Sequence, residues 1–542
     1  MMNCRLVRIS ALTLLAFSFP FVMSLNAQVA VPVRTVALSN SGNAPGTNPP
    51  LPFGSFAGPV INDIGQVAFF TELNGPAIQG VGGRGDALFT EANGLSQLFR
   101  EDEFVPGSNQ SQTLEAFPNV TIFSNSGQTL QNVGGRVDNG SPPRLLFRTS
   151  SSTDQEILVD SSGNVSGLSG VNVNVPSSRD IFLNDNGEAA FGTTNSITST
   201  TTVISDTGGQ GFRVIGTEGQ VLQASQVAGL SQDVLLTEIT SLGLNDSSQN
   251  LVGATFSNLQ SALLLENGNG SFSLQAETGA NLQSAGADVT LDSIFEATLN
   301  NRGDTVFSAG LQGTSADTSS NTAVVGNFGG ILEILAREGD AIPGTDLTFS
   351  TLVNAQPVLG GNGDTAFFAR PTGSSDDGVF SVDQFGAIEL IAFEGDTLTG
   401  LSAGEFINDI SPLAINENGQ IAFLAALSGT GVTGANNAAI FAQDINGNLE
   451  LIVREGDLLN VSNDPNSPDF RTIEALSFFG GSGSGNGTSS GFNDLGQIAF
   501  RADLSQGEGV FVTNQVAVPE PSSIALLLLG GSVCLTRRRR RS

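Results

Sequence analysis

The most informative segment of the chain is Asn62-Asp63-Ile64-Gly65-Gln66-Val67-Ala68-Phe69, a turn rich in Asn and Gly that leads into a short apolar strand. Full or worn copies recur at residues 184–191, 300–307, 360–367, 416–423 and 493–500, and two blurred copies begin near residues 125 and 245. The fourth position of the eight copies falls at 65, 127, 187, 248, 303, 363, 419 and 496, so neighbouring copies lie 55 to 77 residues apart. A repeat of this length predicts an array of small, similar structural units.

The first and fourth residues of the turn are predicted to have structural roles. Gly at the fourth position suits a positive φ that other residues resist, and Asn at the first position can cap the backbone of the same turn. The positions concerned are Asn62, Gly65, Asn184, Gly187, Asn300, Gly303, Asn416, Gly419, Asn493 and Gly496. We predict no catalytic, cofactor-binding or metal-binding role for any of these residues.

Each repeat predicts four short strands in about 60 residues, joined by tight turns. In the sixth unit, these are residues 364–368, 379–382 and 388–393, followed by an extended stretch at 406–415. Immunoglobulin-like domains need about 100 residues each, and β-helices are built on much shorter repeats. The chain is therefore predicted to be all-β, a propeller of about eight four-stranded blades. The Ala before each motif Phe is expected to face a neighbouring blade.

The ends of the array predict that the ring is closed. The last unit stops after residues 509–512, without the strand that should lead to Glu-Gly-Asp. Residues 33–38 resemble that missing strand, and Pro45-Gly46 follows them as Pro343-Gly344 follows residues 334–340. We therefore expect residues 33–38 to complete the last blade. Closure hides sheet edges that would otherwise invite aggregation.

The composition excludes several kinds of chemistry. The chain has no His, Trp or Tyr, all 21 of its basic residues are Arg, and its two Cys are Cys4 and Cys534, in the terminal segments. Ser-His and Cys-His pairs, Schiff-base lysine and His or Cys metal sites are therefore excluded from the body of the chain. The net charge of −31 argues against nucleic acid as a partner, because phosphate binding needs a basic surface.

The N-terminus resembles a secretory signal. Arg5 and Arg8 precede the apolar residues 9–23, and Ala27 offers a cleavage point. We predict a signal peptide at residues 1–27, with the repeat propeller at 28–517. A retained membrane helix is the alternative.

The C-terminal segment, residues 518–542, has three parts. Pro519-Glu520-Pro521 is followed by an apolar run at 524–535 and by five Arg at 537–541. The apolar run would form a helix of about 18 Å, short of the ~30 Å hydrocarbon core, so transient membrane association is expected. The tail resembles the PEP-CTERM sorting signal. That resemblance implies an exosortase-type membrane protease as partner and release to the cell surface or extracellular matrix. Short helices are expected at both termini.

The repeats are similar to those of bacterial tandem-repeat proteins named for their NxxGxxAF motif. The match is direct at residues 62–69, 184–191, 416–423 and 493–500, whereas Val306 and Gly360 depart from the pattern in their copies. The resemblance implies fold and export but no activity.

Acidic turns are the candidate binding residues. Glu338-Gly339-Asp340, Glu394-Gly395-Asp396 and Glu455-Gly456-Asp457 occupy equivalent repeat positions, and Arg337 and Arg454 precede two of them. One interpretation is an acidic rim that binds Ca²⁺ or a sugar. The favoured one is a strand-ending turn with Gly at positive φ and an Arg–carboxylate pair.

Two further motifs are predicted to be structural. Residues 444–448 resemble the start of a calcium loop but lack its downstream Glu, so a hairpin turn is expected. Residues 480–491 are Gly-rich without Lys, which excludes a phosphate loop and predicts a flexible insertion.

The sequence favours an exported, non-enzymatic surface or matrix protein that binds polysaccharide, protein or cations, with no required cofactor. The alternative is an extracellular carbohydrate hydrolase or lyase that uses Asp or Glu. Two acids in a deep channel, one with a raised pKa, would favour the enzyme.

Overall fold

The structure is a computed structural model that describes residues 32–514 apart from short gaps. The gaps are residues 48–49, 75–84, 102, 104–112, 117–120, 137–143, 152–153, 161, 179, 210, 283, 285 and 287. The described residues form eight small sheets, one for each repeat, in which every strand pair but Val227–Ala228 with Phe272–Glu277 is antiparallel, and one 3-10 helix at Gly483–Asn486. They make an eight-bladed β-propeller, as the repeat predicts. Among these residues, no helix has the length and apolar character needed to cross a membrane.

The blades follow the chain order, with four main strands each. Blade 1 contains β2 (Phe53–Phe56), β3 (Val60–Ile61), β4 (Val67–Leu73), β5 (Asp86–Thr90) and β6 (Ser96–Arg100). Blade 2 contains β7 (Thr113–Ala116), β8 (Ile122–Phe123), β9 (Thr129–Arg136), β10 (Arg144–Ser151), β11 (Asp154–Val159), β12 (Asn164–Val165) and β13 (Leu168–Asn172). Blade 3 contains β14 (Ile181–Leu183), β15 (Ala189–Thr194), β16 (Thr201–Ser205) and β17 (Arg213–Thr217). Blade 4 contains β18 (Val221–Leu222), β19 (Val227–Ala228), β20 (Val234–Leu244), β21 (Asn250–Phe256), β22 (Ser261–Glu266) and β23 (Phe272–Glu277).

The second half of the ring is more regular. Blade 5 contains β24 (Thr290–Leu299), β25 (Thr305–Gln312), β26 (Thr322–Phe328) and β27 (Ile331–Arg337). Blade 6 contains β28 (Val358–Leu359), β29 (Thr365–Ala369), β30 (Gly378–Val382) and β31 (Ile388–Phe393). Blade 7 contains β32 (Glu405–Ile415), β33 (Ile421–Gly429), β34 (Ala438–Gln443) and β35 (Leu449–Arg454). Blade 8 contains β36 (Leu458–Asn460), β37 (Phe470–Phe478), β38 (Ala499–Leu504), β39 (Gly507–Thr513) and β1 (Val33–Leu38).

The Asn-Gly turn joins the innermost strand of each blade to the second strand. In the first copy the Gly65 amide donates to the Asn62 carbonyl at 3.0 Å, and the Gln66 amide donates to Asn62 Oδ1 at 2.8 Å. Gly65 has a φ of 79°, the left-handed region that glycine adopts without steric cost. The degenerate fourth copy places Ser248 there at a φ of 60°. The turn geometry is therefore kept even where the glycine is lost.

The core lies between blades, where each motif strand is buried on both faces. Ala366 packs with residues of blade 7, including Phe423, whereas Phe367 packs with residues of blade 5, including Val306. All four side chains are fully buried. The small Ala admits the large Phe of the next blade, which explains why the Ala-Phe pair recurs with the turn.

The ring closes as the sequence predicts. β1 pairs antiparallel with β39, with Val33 opposite Thr513 and Leu38 opposite Gly509. The N-terminal strand is therefore the outermost strand of blade 8, and it hides the edge that β39 would otherwise expose.

The prediction of a flexible insertion at residues 480–491 is wrong. This segment, which we call the belt, runs around the inside of the central channel and receives hydrogen bonds from the innermost strands. The bonds are Ile61 N to Ser490 O (3.0 Å), Phe123 N to Ser489 Oγ (2.7 Å), Leu183 N to Gly487 O (2.9 Å), Leu359 N to Ser482 Oγ (3.1 Å) and Ile415 N to Gly481 O (3.0 Å). The belt also donates from Asn486 Nδ2 to Thr298 Oγ1 at 3.1 Å. It therefore binds six other blades, because its glycines allow close backbone approach and its carbonyl and hydroxyl oxygens accept hydrogen bonds from the channel-facing amides.

Candidate functional site

The first residues of the Asn-Gly turns join neighbouring blades. Where this residue is Asn, its side-chain amide donates to the main-chain carbonyl of the next turn. The bonds run from Asn62 to Ser124 (3.1 Å), Asn184 to Asn245 (2.9 Å), Asn245 to Asn300 (2.9 Å), Asn300 to Gly360 (3.2 Å), Asn416 to Asn493 (3.0 Å) and Asn493 to Asn62 (2.9 Å). The last bond crosses from blade 8 to blade 1. These asparagines therefore hold the turns together around the axis, beyond the local cap that the sequence predicts.

The second residues of the turns form a ring of acidic and amide side chains, which we call the axial ring. Its members are Asp63, Asn125, Asp185, Asp246, Asn301, Glu417 and Asp494. The side chain of every member except Glu417 accepts a hydrogen bond from the backbone amide of the preceding member. The bonds are Asp63 N to Asn125 (2.6 Å), Asn125 N to Asp185 (2.7 Å), Asp185 N to Asp246 (2.7 Å), Asp246 N to Asn301 (2.9 Å), Glu417 N to Asp494 (2.8 Å) and Asp494 N to Asp63 (3.1 Å).

Blade 6 breaks this pattern, and Glu417 compensates for it. Blade 6 has Gly361 at the second turn position. A Cβ on Gly361 would stand 1.8 Å from Glu417 Oε2, and one on Gly485 of the belt would stand 2.4 Å from Glu417 Oε1. The long Glu417 side chain thus fills the space beside blade 6 and accepts a hydrogen bond from Asn301 Nδ2 of blade 5 at 3.3 Å. An Asp at 417 would be one methylene too short to bridge this gap.

The axial ring concentrates negative charge, and two of its carboxyl groups are strongly affected. Burial, reinforced by the charges of Asp246 and Asp63, raises the pKa of Glu417 to about 7. Burial and the charge of Asp63 likewise raise the pKa of Asp494 to about 7. Burial also raises the pKa of Asp246, against the hydrogen bond from the Asp185 amide. Like charges share one small space here, so part of the ring is protonated near neutral pH.

The ring amides separate the carboxylates. Asn125 Nδ2 donates to Asp63 Oδ2 at 2.8 Å and to Asp185 Oδ2 at 2.5 Å. Asn301 Nδ2 donates to Asp246 Oδ2 at 2.8 Å as well as to Glu417. In the described part of the chain, no three acidic, His or Cys side chains converge closely enough to form a metal site. The ring oxygens instead accept hydrogen bonds that hold the blades in register.

The Glu-Gly-Asp turns follow the outermost strands, on the propeller face opposite the axial ring. Their glycines have φ values of 85°, 97° and 86° at Gly339, Gly395 and Gly456. Glu455 Oε2 accepts from the backbone amides of Asn437 and Ala438, at 3.2 and 3.0 Å. This carboxylate thereby secures the start of β34.

The Arg–carboxylate pair expected at these turns forms with a different acid. Arg454 does not pair with the acids of its own turn: it donates to both oxygens of Glu405, at 2.8 and 3.0 Å. These bonds lower the pKa of Glu405. The alternative interpretation is an acidic rim, and the acids differ in exposure: Asp457 is buried whereas Asp340 is exposed.

The predicted hairpin at residues 444–448 joins β34 to β35. Asp444 Oδ1 accepts from the amides of Asn446 and Asn448 at 2.8 and 2.9 Å, and Gly447 has a φ of 82°. The carboxylate thus caps its own turn.

Sequence reasoning missed the axial ring. Its signal was present: the second turn position is Asp, Asn or Glu in seven of eight copies. Only closure of the ring brings these residues together, since neighbouring copies lie at least 55 residues apart.

Comparison with known protein families gives a match for the C-terminal segment. A profile of the PEP-CTERM protein-sorting motif matches residues 517–541. It confirms the sorting signal, which implies export and processing by an exosortase at the membrane. Pro519, Glu520 and Pro521 lie outside the described residues, as does the predicted signal peptide.

The chain also has a similar arrangement to three solved structures of low sequence identity. An oligogalacturonate lyase in complex with manganese has 10% identity and a TM-score of 0.36, and the match covers 89% of this chain and 99% of that one. A Dos1 propeller has 12% identity and a TM-score of 0.35, with 90% and 96% covered. Prolyl oligopeptidase B from Galerina marginata has 11% identity and a TM-score of 0.37, with 84% and 56% covered. These likenesses carry no argument about activity.

A search of curated proteins finds no match. The similarity to NxxGxxAF repeat proteins stays a prediction, because a different profile matches the body of the chain. That profile spans residues 83–525, more than three quarters of the sequence. The chain therefore belongs to DUF7453, a family of unknown function.

Proposed function

We propose that this exported protein is a non-enzymatic propeller that binds extracellular polysaccharide at the cell surface or in the matrix. The observation that carries the proposal is the belt. A propeller's central channel is the natural concave site for a substrate, and here residues 480–491 of the same chain occupy it. Ser482 and Ser490 are almost completely buried in it.

The residue inventory supports the same conclusion. The body of the chain has no imidazole, amine, phenol or thiol, so only carboxylates could act as general acid or base. The carboxylates of the axial ring are hydrogen-bonded between blades, as structural groups are. The high negative charge disfavours polyanionic ligands and suits a well-solvated extracellular surface.

Two measurements test this function. The first incubates the exported protein with soluble polysaccharides and follows both retention of the protein on the polymer and release of reducing ends or unsaturated uronates. Binding without product release is expected, and steady product release would contradict the proposal. The second deletes residues 518–542, and loss of surface display is expected.

A second candidate function is a carbohydrate hydrolase or lyase, favoured by the carboxyl groups of Glu417 and Asp494. A carboxyl with a pKa of about 7 is still partly protonated at neutral pH and can act as a general acid. If product release is observed, Glu417→Gln should abolish it, with Glu389→Gln as the control because Glu389 is exposed on β31. Undiminished activity in Glu417→Gln would exclude the axial ring as its source.

A further inference from the structure

Two adjoining cavities lie beside the inner strands of blades 5, 6 and 7. One, of about 390 Å³, lies between the inner strands of blades 5 and 6 and has Ser482 of the belt in its wall. The other, of about 360 Å³, lies between blades 6 and 7, beside Phe368. Gln356 lines both, so we treat them as one feature, the inter-blade cleft. Each has the size of a small-molecule site, for which about 300–1,000 Å³ is typical.

The backbone is strained where the two cavities meet. Glu296 and Gln356 both have a φ of 45°, and each lies four residues before the turn of its blade. The backbone amide of Gln356 donates to Glu296 Oε2 at 3.1 Å, across the boundary between blades 5 and 6. Left-handed conformations of such residues cost about 1–3 kcal/mol and concentrate at ligand sites. Both side chains are exposed at the cleft, and Glu296 lies where the pairing of β24 with β25 shifts register between Phe295 and Thr298.

The cleft wall between Ser350 and Gln356 is held in place by its main chain and has free side chains. The Ser350 amide donates to the Arg370 carbonyl at 2.7 Å, and the Phe368 amide donates to the Ala355 carbonyl at 2.8 Å. The side-chain amides of Asn354 and Gln356 are exposed and make no hydrogen bond to the described residues. A rigid wall with unused donors and acceptors loses little entropy when it binds a ligand.

The charges of the cleft indicate which ligand it suits. Arg370 donates to both oxygens of Asp377, at 2.9 and 2.7 Å, so these two charges offset each other. Glu296 remains as the other charged group in the lining. One carboxylate in a negatively charged protein repels anionic ligands but accepts hydrogen bonds from hydroxyl groups.

We propose that the inter-blade cleft binds a neutral oligosaccharide chain, an inference that rests on the proposed polysaccharide binding. The Asn354 and Gln356 amides and the Glu296 carboxylate hydrogen-bond the sugar hydroxyls. The partly exposed ring of Phe368 packs against the C–H face of a sugar ring. A protein partner is a poorer fit, because a stable protein interface covers about 800 Å² on each side, more than a cleft lined by these few side chains offers.

Titration calorimetry of the exported protein with neutral hexasaccharides of glucose, xylose and mannose, and with oligogalacturonate, tests this assignment. We expect binding of at least one neutral hexasaccharide and at least tenfold weaker binding by Gln356→Ala and Phe368→Ala. Gln223→Ala and Phe385→Ala are matched controls, because both side chains are exposed outside the cleft, and they should bind as the wild type does. Gln356 is exposed, so its variant is informative even if Phe368→Ala folds poorly.

The outcomes separate the two proposals. Neutral hexasaccharide binding that Gln356→Ala and Phe368→Ala leave unchanged would overturn the cleft but not polysaccharide binding. Binding of oligogalacturonate alone would overturn the neutral ligand class. Binding of no saccharide by the wild type would overturn both.

Discussion

Replacing Glu417 with Gln should stabilise the protein above neutral pH and leave its stability nearly unchanged in mild acid. The pKa of Glu417 is about 7 in the folded protein, against an ordinary value of 4.5. Because the folded protein binds this proton more tightly than the unfolded chain, the free energy of unfolding falls as the pH rises from about 4.5 through about 7. Above that pH the loss is complete. A neutral Gln cannot lose a proton, and its Oε1 can still accept the bond from Asn301.

The size of the effect follows from the same pKa values. At about 1.4 kcal/mol per pKa unit, the difference between 4.5 and about 7 sets an upper bound of about 3 kcal/mol. Glu417 is partly exposed, and solvent screening reduces the bound. We therefore expect Glu417→Gln to raise the free energy of unfolding by about 1–2 kcal/mol at pH 8 and by almost nothing at pH 4.5.

Urea unfolding at pH 4.5, 6 and 8, followed by far-ultraviolet circular dichroism, measures this difference. Glu389→Gln, an exposed change of the same kind on β31, should not show the gain at pH 8. A Glu417→Gln variant that is destabilised equally at every pH would refute the reasoning, because it would mean that the ionised carboxylate stabilises the ring.

Three further perturbations test the ring and its closure. Asn493→Ala removes the bond to the Asn62 carbonyl and the cap of its own turn, and should cost about 1–3 kcal/mol in urea unfolding, since buried partners are left unpaired. Gly187→Ala should lower the melting temperature more than Gly209→Ala. Both glycines have a positive φ, of 79° and 68°, but the new Cβ at 187 would stand 2.4 Å from Gln128 Oε1, whereas the one at 209 would have nothing within 4 Å. Deletion of Val33–Leu38 should expose the edge of β39 and produce aggregates on size-exclusion chromatography.

Each of these three perturbations has a control variant or a result that would contradict the prediction. Asn408→Ala changes an exposed asparagine and should leave the free energy of unfolding within about 0.5 kcal/mol of the wild type. Equal melting temperatures for Gly187→Ala and Gly209→Ala would show that close contact with Gln128 adds nothing to backbone strain. A monomeric, fully folded protein without Val33–Leu38 would contradict closure through β1.

Much of the fold follows from local sequence, because turn chemistry and apolar patterning act over a few residues. Gly65 and its equivalents mark the turn between the first two strands of seven of the eight blades, since few other residues adopt that φ. The Ala-Phe pair indicates a strand buried on both faces. The unfinished last repeat and the spare strand at 33–38 together predict closure, because an unpaired strand edge is unfavourable.

The candidate site could not be predicted in this way, since its parts are distant in the chain. Nothing local distinguishes Glu417 from any other acid after an Asn. Its role depends on Gly361 and Gly485, which leave room for it, and on Asn301 in blade 5. The inter-blade cleft likewise depends on how blades 5, 6 and 7 pack.

The sequence alone determined the class of fold, the signal for export and the kinds of catalytic side chain that the body of the chain lacks. Composition and short motifs do not depend on contacts between distant residues. Only the tertiary structure decided that residues 480–491 run along the inside of the channel and that seven turn side chains share one axis. Burial and Coulomb interactions are properties of spatial proximity, so the pKa values of Glu417 and Asp494 came into view only once the ring was closed.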